Sequence, residues 1–230
     1  MKLFARFFRD CAFFFDRRFF ISVVAYAVFL VVVMVAAEAV EGRGLFMVFD
    51  GVMLERIIEA RTDFLTMVMR DATMLGHWMV VWLFVAIIGL ELAARRRITH
   101  FVSLLLSVGG ASVVALALKQ LLVRPRPDLL AIVSETTFSF PSGHSSLSLA
   151  FYGILIYFLL RCSCDVWAKY VGVFAAVVVI ALVGFSRIYL GVHWPSDVIG
   201  GYVLTAGWLY VVISQAEHIE KKKKAVKVSV

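Results

Sequence analysis

With 230 residues, 62% of them hydrophobic and only 17% charged, the chain lies well outside the composition of a soluble domain, which is about 45–50% apolar and about 25% charged. Its mean hydropathy of +0.93 places it in lipid. A net charge of +7 would suit nucleic acid, but much of it flanks apolar blocks, where membrane topology and anionic headgroups account for it, so no nucleic-acid partner is expected.

The chain opens with a basic arm, residues 1–18, carrying Lys2, Arg6, Arg9, Arg17 and Arg18. The apolar block behind it, 21–37, is read as a retained anchor. A cleaved signal has a shorter apolar core and a small-residue cleavage site, and here further spans follow. Residues 38–76 then form an acidic connection, with Glu38, Glu41, Asp50, Glu55, Glu59, Asp63 and Asp71 against Arg43, Arg56, Arg61 and Arg70. Within it, Leu54, Ile57 and Ile58 mark one side of an amphipathic helix, which either lies on the membrane beside a lateral entrance for lipid or packs over the bundle.

Five more apolar blocks follow, at 77–94, 98–118, 145–160, 168–185 and 198–214, and a basic tail with Lys221 to Lys224 closes the chain over 216–230. Each block is close to the roughly 20 residues a helix needs to cross hydrocarbon, and lipid tolerates only structures that satisfy their own backbone. The expectation is an all-α polytopic membrane protein, one domain over 1–230 built as a six-transmembrane-helix bundle. Pairs of small residues four apart, Ser107 with Ala111 and Gly172 with Ala176, suggest close helix packing.

Basic connections prefer the cytoplasm. The arm, the Arg95–Arg96–Arg97 turn, the turn from Arg161 to Lys169 and the tail alternate with the other connections, so both termini are placed inside. The acidic segment and the third and fifth connections are placed outside. Cys11, Cys162 and Cys164 then fall on the reducing side, lack C-x-x-C spacing and are expected to be reduced bystanders. His77, His100, His218 and most tryptophans are taken as interface or filler residues.

All four prolines lie in the two later outside connections, together with nearly all the polar residues that need explaining. The third connection sets Lys119 seven residues before Arg126-Pro127, with Arg124 between them. It then runs through Pro141-Ser142-Gly143-His144 into an apolar span, where free helix N–H groups beside a hydroxyl and an imidazole make an anion cradle. An ordinary serine N-cap is the plainer reading of that segment alone. The fifth connection adds Ser186-Arg187, then His193, and Asp197 four residues beyond the histidine. An isolated His and Asp would be a satisfied polar pair at a helix start, but the combination is different. Three cations, two imidazoles and a carboxylate at a helix N-terminus suit chemistry on a phosphate, where positioning and charge neutralisation do most of the catalysis. One histidine attacks while the other protonates the leaving oxygen. No metal or other cofactor is called for, since the cations take the place of magnesium and no H-E-x-x-H or carboxylate-rich cluster occurs.

These segments resemble the signature of the type 2 phosphatidic acid phosphatase family: K-x6-R-P, P-S-G-H and S-R-x5-H-x3-D. All eleven fixed positions are met, from Lys119 to Asp197. The resemblance implies a metal-independent lipid phosphatase that works through a phosphohistidine on His193. Asp197 would orient that ring, and His144 would protonate the departing lipid oxygen and later help to activate water. Lys119, Arg126, Ser142, Gly143 and Arg187 would bind the phosphoryl oxygens. Arg124, outside the signature, is expected to contact a lipid headgroup. Expected substrates are lipid phosphates at the outer face of a bacterial plasma membrane, with undecaprenyl pyrophosphate slightly ahead of phosphatidylglycerol phosphate, phosphatidic acid and lipid A phosphates. The alternative is a non-catalytic phosphate or phospholipid binding or transport protein, which would have no need of two histidines and an orienting carboxylate. A haloperoxidase, whose site is similar, fits a chain embedded in membrane throughout less well.

Overall fold

The computed structural model describes residues 14–41, 44–127 and 131–228. Lys2, Arg6, Arg9, Cys11, Arg43 and Asp128 lie outside the described residues. Among the described residues there are eight helices and no strand: α1 (Arg17–Glu41), α2 (Leu45–Glu59), α3 (Asp63–Met74), α4 (Trp78–Ala94), α5 (Ile98–Leu122), α6 (Gly143–Arg161), α7 (Val166–Tyr189) and α8 (Pro195–Val228).

Helix α1 has 25 residues, about 38 Å at 1.5 Å per residue, which is enough to cross a hydrocarbon layer of about 30 Å. Val24, Val28, Val31 and Val35 recur on one exposed stripe, an apolar outer face suited to lipid tails. Five helices are long and apolar enough to span, and the bent pair α3 and α4, which meet at 44°, makes a sixth when counted as one. The expected count of six is thus reached when that pair is taken as one span. Helix α4 alone has 17 residues, and α3 before it falls within the segment that hydropathy assigns to the connection. The last helix also runs on, so most of the expected tail, 216–228, continues α8.

Helix α6 sits at the centre, packed against α4, α5, α7 and α8. Its buried Ala150, Phe151 and Ile154 meet Leu104 and Val108 of α5 and Val212 of α8 in one core. Small residues allow the close crossings. Ser107 Oγ donates to the Ala150 carbonyl at 2.7 Å, and a Cβ on Gly172 would come within 2.5 Å of Leu159. The ends of the chain are tied together as well, with Gln215 Nε2 donating to the Phe14 carbonyl at 2.8 Å and to Asp16 at 2.9 Å.

Helix α2 packs against α7 and α8. Leu54 is fully buried, and Ile57 lies against Tyr189, Leu190 and Val192. The side marked by Leu54 and Ile57 thus faces the bundle, while Met47, Val48, Val52 and Met53 form the exposed apolar side. The cysteine expectation needs correction: Cys162 and Cys164, in the turn between α6 and α7, are joined by a disulfide, with Cα atoms 5.4 Å apart, inside the usual bridging range.

Candidate active site

The signature residues converge where α5 ends and α6 and α8 begin. Pro195 opens α8 at the first helical position, where its missing N–H has no intrahelical partner to lose. Just before it, Gly191 has φ +75°, a conformation that glycine takes without the Cβ clash. This turn brings the chain out of α7 and buries His193. At the other side, Ser142 caps α6 by accepting from the Ser145 N–H at 3.4 Å. The Ser142 N–H donates to the Asp197 carbonyl at 3.1 Å, which ties the two helix starts together. The plain N-cap reading of Ser142 is therefore present in the geometry, in the same place as the expected phosphate contact.

Asp197, fully buried, accepts four donors. His193 Nδ1 (3.3 Å), the Trp194 N–H (2.9 Å) and the Ser139 hydroxyl bond Oδ2, and Arg124 Nη1 bonds Oδ1 at 2.6 Å. On the far side of the His193 ring, Nε2 lies 3.1 Å from Arg126 Nη1. A guanidinium only donates, so Nε2 is the acceptor and the ring proton sits on Nδ1, toward Asp197. Burial pushes the His193 pKa down to about 4, although Asp197 works in the opposite direction. The ring is thus neutral at pH 7, with its Nε2 lone pair aimed at a cation.

Arg126 is held by the Thr137 and Val192 carbonyls, each at 2.6 Å. Lys119 Nζ donates to the Phe138 carbonyl at 2.5 Å and the Ser139 carbonyl at 3.3 Å. It also lies within electrostatic reach of Arg126, Asp197, Glu135 and Arg187. Gly143 lies beside it: a Cβ there would sit 4.0 Å from Lys119 Cε, an ordinary contact. Arg187, only 2% exposed, donates through Nη1 to Thr73 Oγ1 at 2.8 Å and through Nη2 to Glu135. Its buried Nε has no partner among the described residues, so a donor remains available for an incoming oxygen. His144, at the first turn of α6, lies within electrostatic reach of Arg187, His193, His77 and Arg126. All eight expected residues therefore gather in one pocket.

Several further residues join them. Arg124 is corrected from a headgroup contact to a buried ion pair, bridging Asp197 at 2.6 Å and Asp50 at 2.8 Å. The reason is that both carboxylates are buried and need a counterion. Glu135 pairs with Arg187 and lies 3.9 Å from Arg126. His77, expected as filler, places its ring 5.8 Å from that of His144. Gly76 permits this approach, since a Cβ there would fall 2.4 Å from Val183 Cγ1 and 3.1 Å from the His144 carbonyl. No group of three or more His, Cys, Asp or Glu that would hold a metal ion occurs among the described residues.

The chain is similar to several known proteins. The family model described as PAP2 superfamily matches residues 100–220. Phosphatidylglycerophosphatase B of Bacillus subtilis (strain 168) is 34% identical over 163 residues, 70% of this chain and 80% of that protein. The undecaprenyl-diphosphatase of Sulfolobus acidocaldarius is 31% identical over 151 residues, 63% of this chain and 67% of its own. Among solved structures, a transmembrane PAP2 type phosphatidylglycerolphosphate phosphatase from Bacillus subtilis superposes with a TM-score of 0.72 at 30% identity, covering 86% of this chain and 96% of that one.

Proposed function

The chain belongs to the PAP2 superfamily and is a membrane lipid phosphatase, and from that premise we propose that it hydrolyses the terminal phosphate of a lipid monoester or diphosphate, without a metal, through a phosphohistidine on His193. The observation that carries the mechanism is the His193 ring itself: neutral, with its proton held toward Asp197 and its Nε2 lone pair turned to Arg126, a bond that an incoming phosphoryl oxygen would take over. Nε2 attacks phosphorus, an N–P bond forms, and the bond from phosphorus to the lipid oxygen breaks. His144, protonated once the anionic phosphate is bound, hands that oxygen the proton. Water then adds to the same phosphorus as His144 takes its proton, the N–P bond breaks, and inorganic phosphate leaves. Lys119, Arg126, Arg187 and the start of α6, with Ser142 and Gly143, neutralise the equatorial oxygens.

The pocket recognises the terminal phosphate, which the candidate lipids share. Likeness to a phosphatidylglycerophosphatase and to an undecaprenyl-diphosphatase makes phosphatidylglycerol phosphate and undecaprenyl pyrophosphate the first substrates to compare. We place the pocket on the outer face of a bacterial plasma membrane with both termini inside, on the distribution of lysine and arginine.

The decisive assay is phosphate release in detergent from these two lipids, phosphatidic acid and a lipid A phosphate, with EDTA present. Turnover is expected under chelation. His193→Ala is expected to abolish turnover while keeping lipid binding. Activity in His193→Ala would refute the nucleophile, and no turnover of any lipid by wild type would favour the binding-protein reading. Orientation is tested by replacing exposed Ala131 with cysteine in a background lacking the native cysteines. Labelling only after permeabilisation would reverse it.

A further inference from the structure

The polar network behind His193 continues beyond Asp197 into a helix that carries none of the signature. Arg124 Nη1 donates to Asp197 Oδ1 at 2.6 Å, and the other arm of the same guanidinium, Nη2, donates to Asp50 Oδ2 at 2.8 Å. Asp50 belongs to α2 and is 1% exposed, although its neighbours Val48, Phe49, Val52 and Met53 face outward. Its carboxylate also accepts the Ser196 N–H at 2.8 Å and the Ser196 hydroxyl at 2.5 Å. That hydroxyl accepts in turn from Arg124 Nη1 at 2.7 Å. Arg124 lies 5.9 Å from the centre of the Trp194 ring, whose N–H holds the Pro125 carbonyl at 3.1 Å.

We propose that Asp50 and Arg124 are positioning residues for the reaction: the Arg124 fork, anchored by Asp50, sets the plane of the Asp197 carboxylate and so the aim of His193 Nε2. The inference rests on His193 being the nucleophile. The carboxyl torsion of Asp is broad, and Oδ2 alone, shared among three donors, does not fix it. A planar guanidinium that bonds Oδ1 while its other arm is clamped does. The arrangement also accounts for Asp50. A buried charge is costly unless paired, and every bond Asp50 makes leads to Arg124 or to Ser196, the residue next to Asp197. The competing view is that the pair merely staples α2 to the bundle. Leu54, buried on the same helix but outside the network, provides the control.

The test measures kcat, KM and melting temperature of the full-length protein in detergent, with phosphatidic acid and phosphatidylglycerol phosphate as probes. Loss of an outer partner of a reacting group commonly costs about 10- to 100-fold. Asp50→Asn is expected to lower kcat about 10-fold and Arg124→Gln about 100-fold, with KM within about two-fold. Arg124→Lys, which keeps charge but not the fork, should recover only part of the loss. Since Asp50 acts through Arg124, the double variant should be no slower than Arg124→Gln alone. Leu54→Ala should melt earlier yet keep kcat. If Arg124→Gln fails to fold, Asp50→Asn and Ser196→Ala, which each remove only part of the network, decide the matter through their kcat. Wild-type kcat in Asp50→Asn, multiplicative losses in the double variant, or an equal kcat loss in Leu54→Ala would overturn the proposal. An inactive His193→Ala beside a fully active Arg124→Gln would refute the positioning pair alone. An active His193→Ala would refute the nucleophile and the pair together.

Discussion

Replacing Arg187 by lysine tests the phosphate pocket with the charge left in place. Arg187 presents two donors to an incoming phosphoryl group: the buried Nε, which has no partner among the described residues, and Nη2, whose partner Glu135 is partly exposed and can give way. A hydrogen bond to a charged group contributes about 1.5–3 kcal/mol, so the two together amount to about 3–6 kcal/mol. Lysine keeps one point charge but not the planar fork, and that charge recovers about half. A net loss of about 1.5–3 kcal/mol corresponds to roughly 10- to 100-fold in kcat/KM at 1.36 kcal/mol per decade. Phosphate release across a substrate range in detergent measures it, with Arg187→Ala expected to be worse because it also strands Glu135 and Thr73. A loss smaller than about five-fold in Arg187→Lys would mean that neither donor reaches the transition state, and Arg187 would have no place among the phosphate-binding groups.

Four further outcomes are expected. Because burial holds His193 near a pKa of about 4, kcat/KM should show no His193 limb near 6.5, the ordinary histidine value, and should fall only as pH drops through about 4; a limb near 6.5 carried by His193 would contradict its burial. The same depression means that unfolded His193 binds a proton below about 6.5 while the folded one does not until about 4. Its contribution to stability is therefore lost as pH falls through that window, and His193→Asn should flatten the melting profile there. Glu135→Gln, by freeing Arg187 and Arg126, should tighten product inhibition by inorganic phosphate about 10-fold, one charge-assisted contact's worth, seen as a lower inhibition constant. Gly110→Ala would drive a Cβ to within 2.2–2.4 Å of the Trp208 indole, which its N–H pins to the Leu106 carbonyl at 2.8 Å; overpacking of about 1–3 kcal/mol should lower the melting temperature with kcat unchanged.

Hydrophobic blocks made the helical membrane architecture legible, because lipid imposes so few backbone solutions. Fixed spacings within the two later connections made eight pocket residues legible. What stayed hidden depended on contacts between distant segments. Nothing in the local pattern shows that Arg124 turns inward rather than toward headgroups. That depends on Asp50, 74 residues away in the chain. A signal was present nonetheless: Asp50 is a lone carboxylate in the apolar run Leu45 to Leu54, and such a charge usually has a buried partner. Glu135 gave a weaker hint, an acid within a connection otherwise expected to bind anions. The bend at Leu75, Gly76 and His77, which sets α3 at 44° to α4, is hidden as well, because hydropathy alone does not show where a helix breaks.

The charge balance of the pocket bears on how such a site works in a membrane crowded with phosphate. Lys119, Arg124, Arg126 and Arg187 face Asp50, Glu135 and Asp197, so with neutral histidines the four cations exceed the three carboxylates by a single charge. Arg124 is committed to two carboxylates on the side away from His193 Nε2, and Arg187 is engaged by Glu135. An incoming anion can reach Arg187 Nε directly but must displace Glu135 to gain Nη2 as well. A terminal phosphate monoester, with up to two negative charges and three terminal oxygens, can compensate that exchange. A phosphodiester, with one charge and two such oxygens, compensates it less, and bulk phospholipids are phosphodiesters. The same competition eases departure of inorganic phosphate, because Glu135 is at hand to reclaim Arg187. By this reasoning Glu135 lowers affinity for every anion but lowers it most for the wrong ones, which is how a repulsive group raises discrimination.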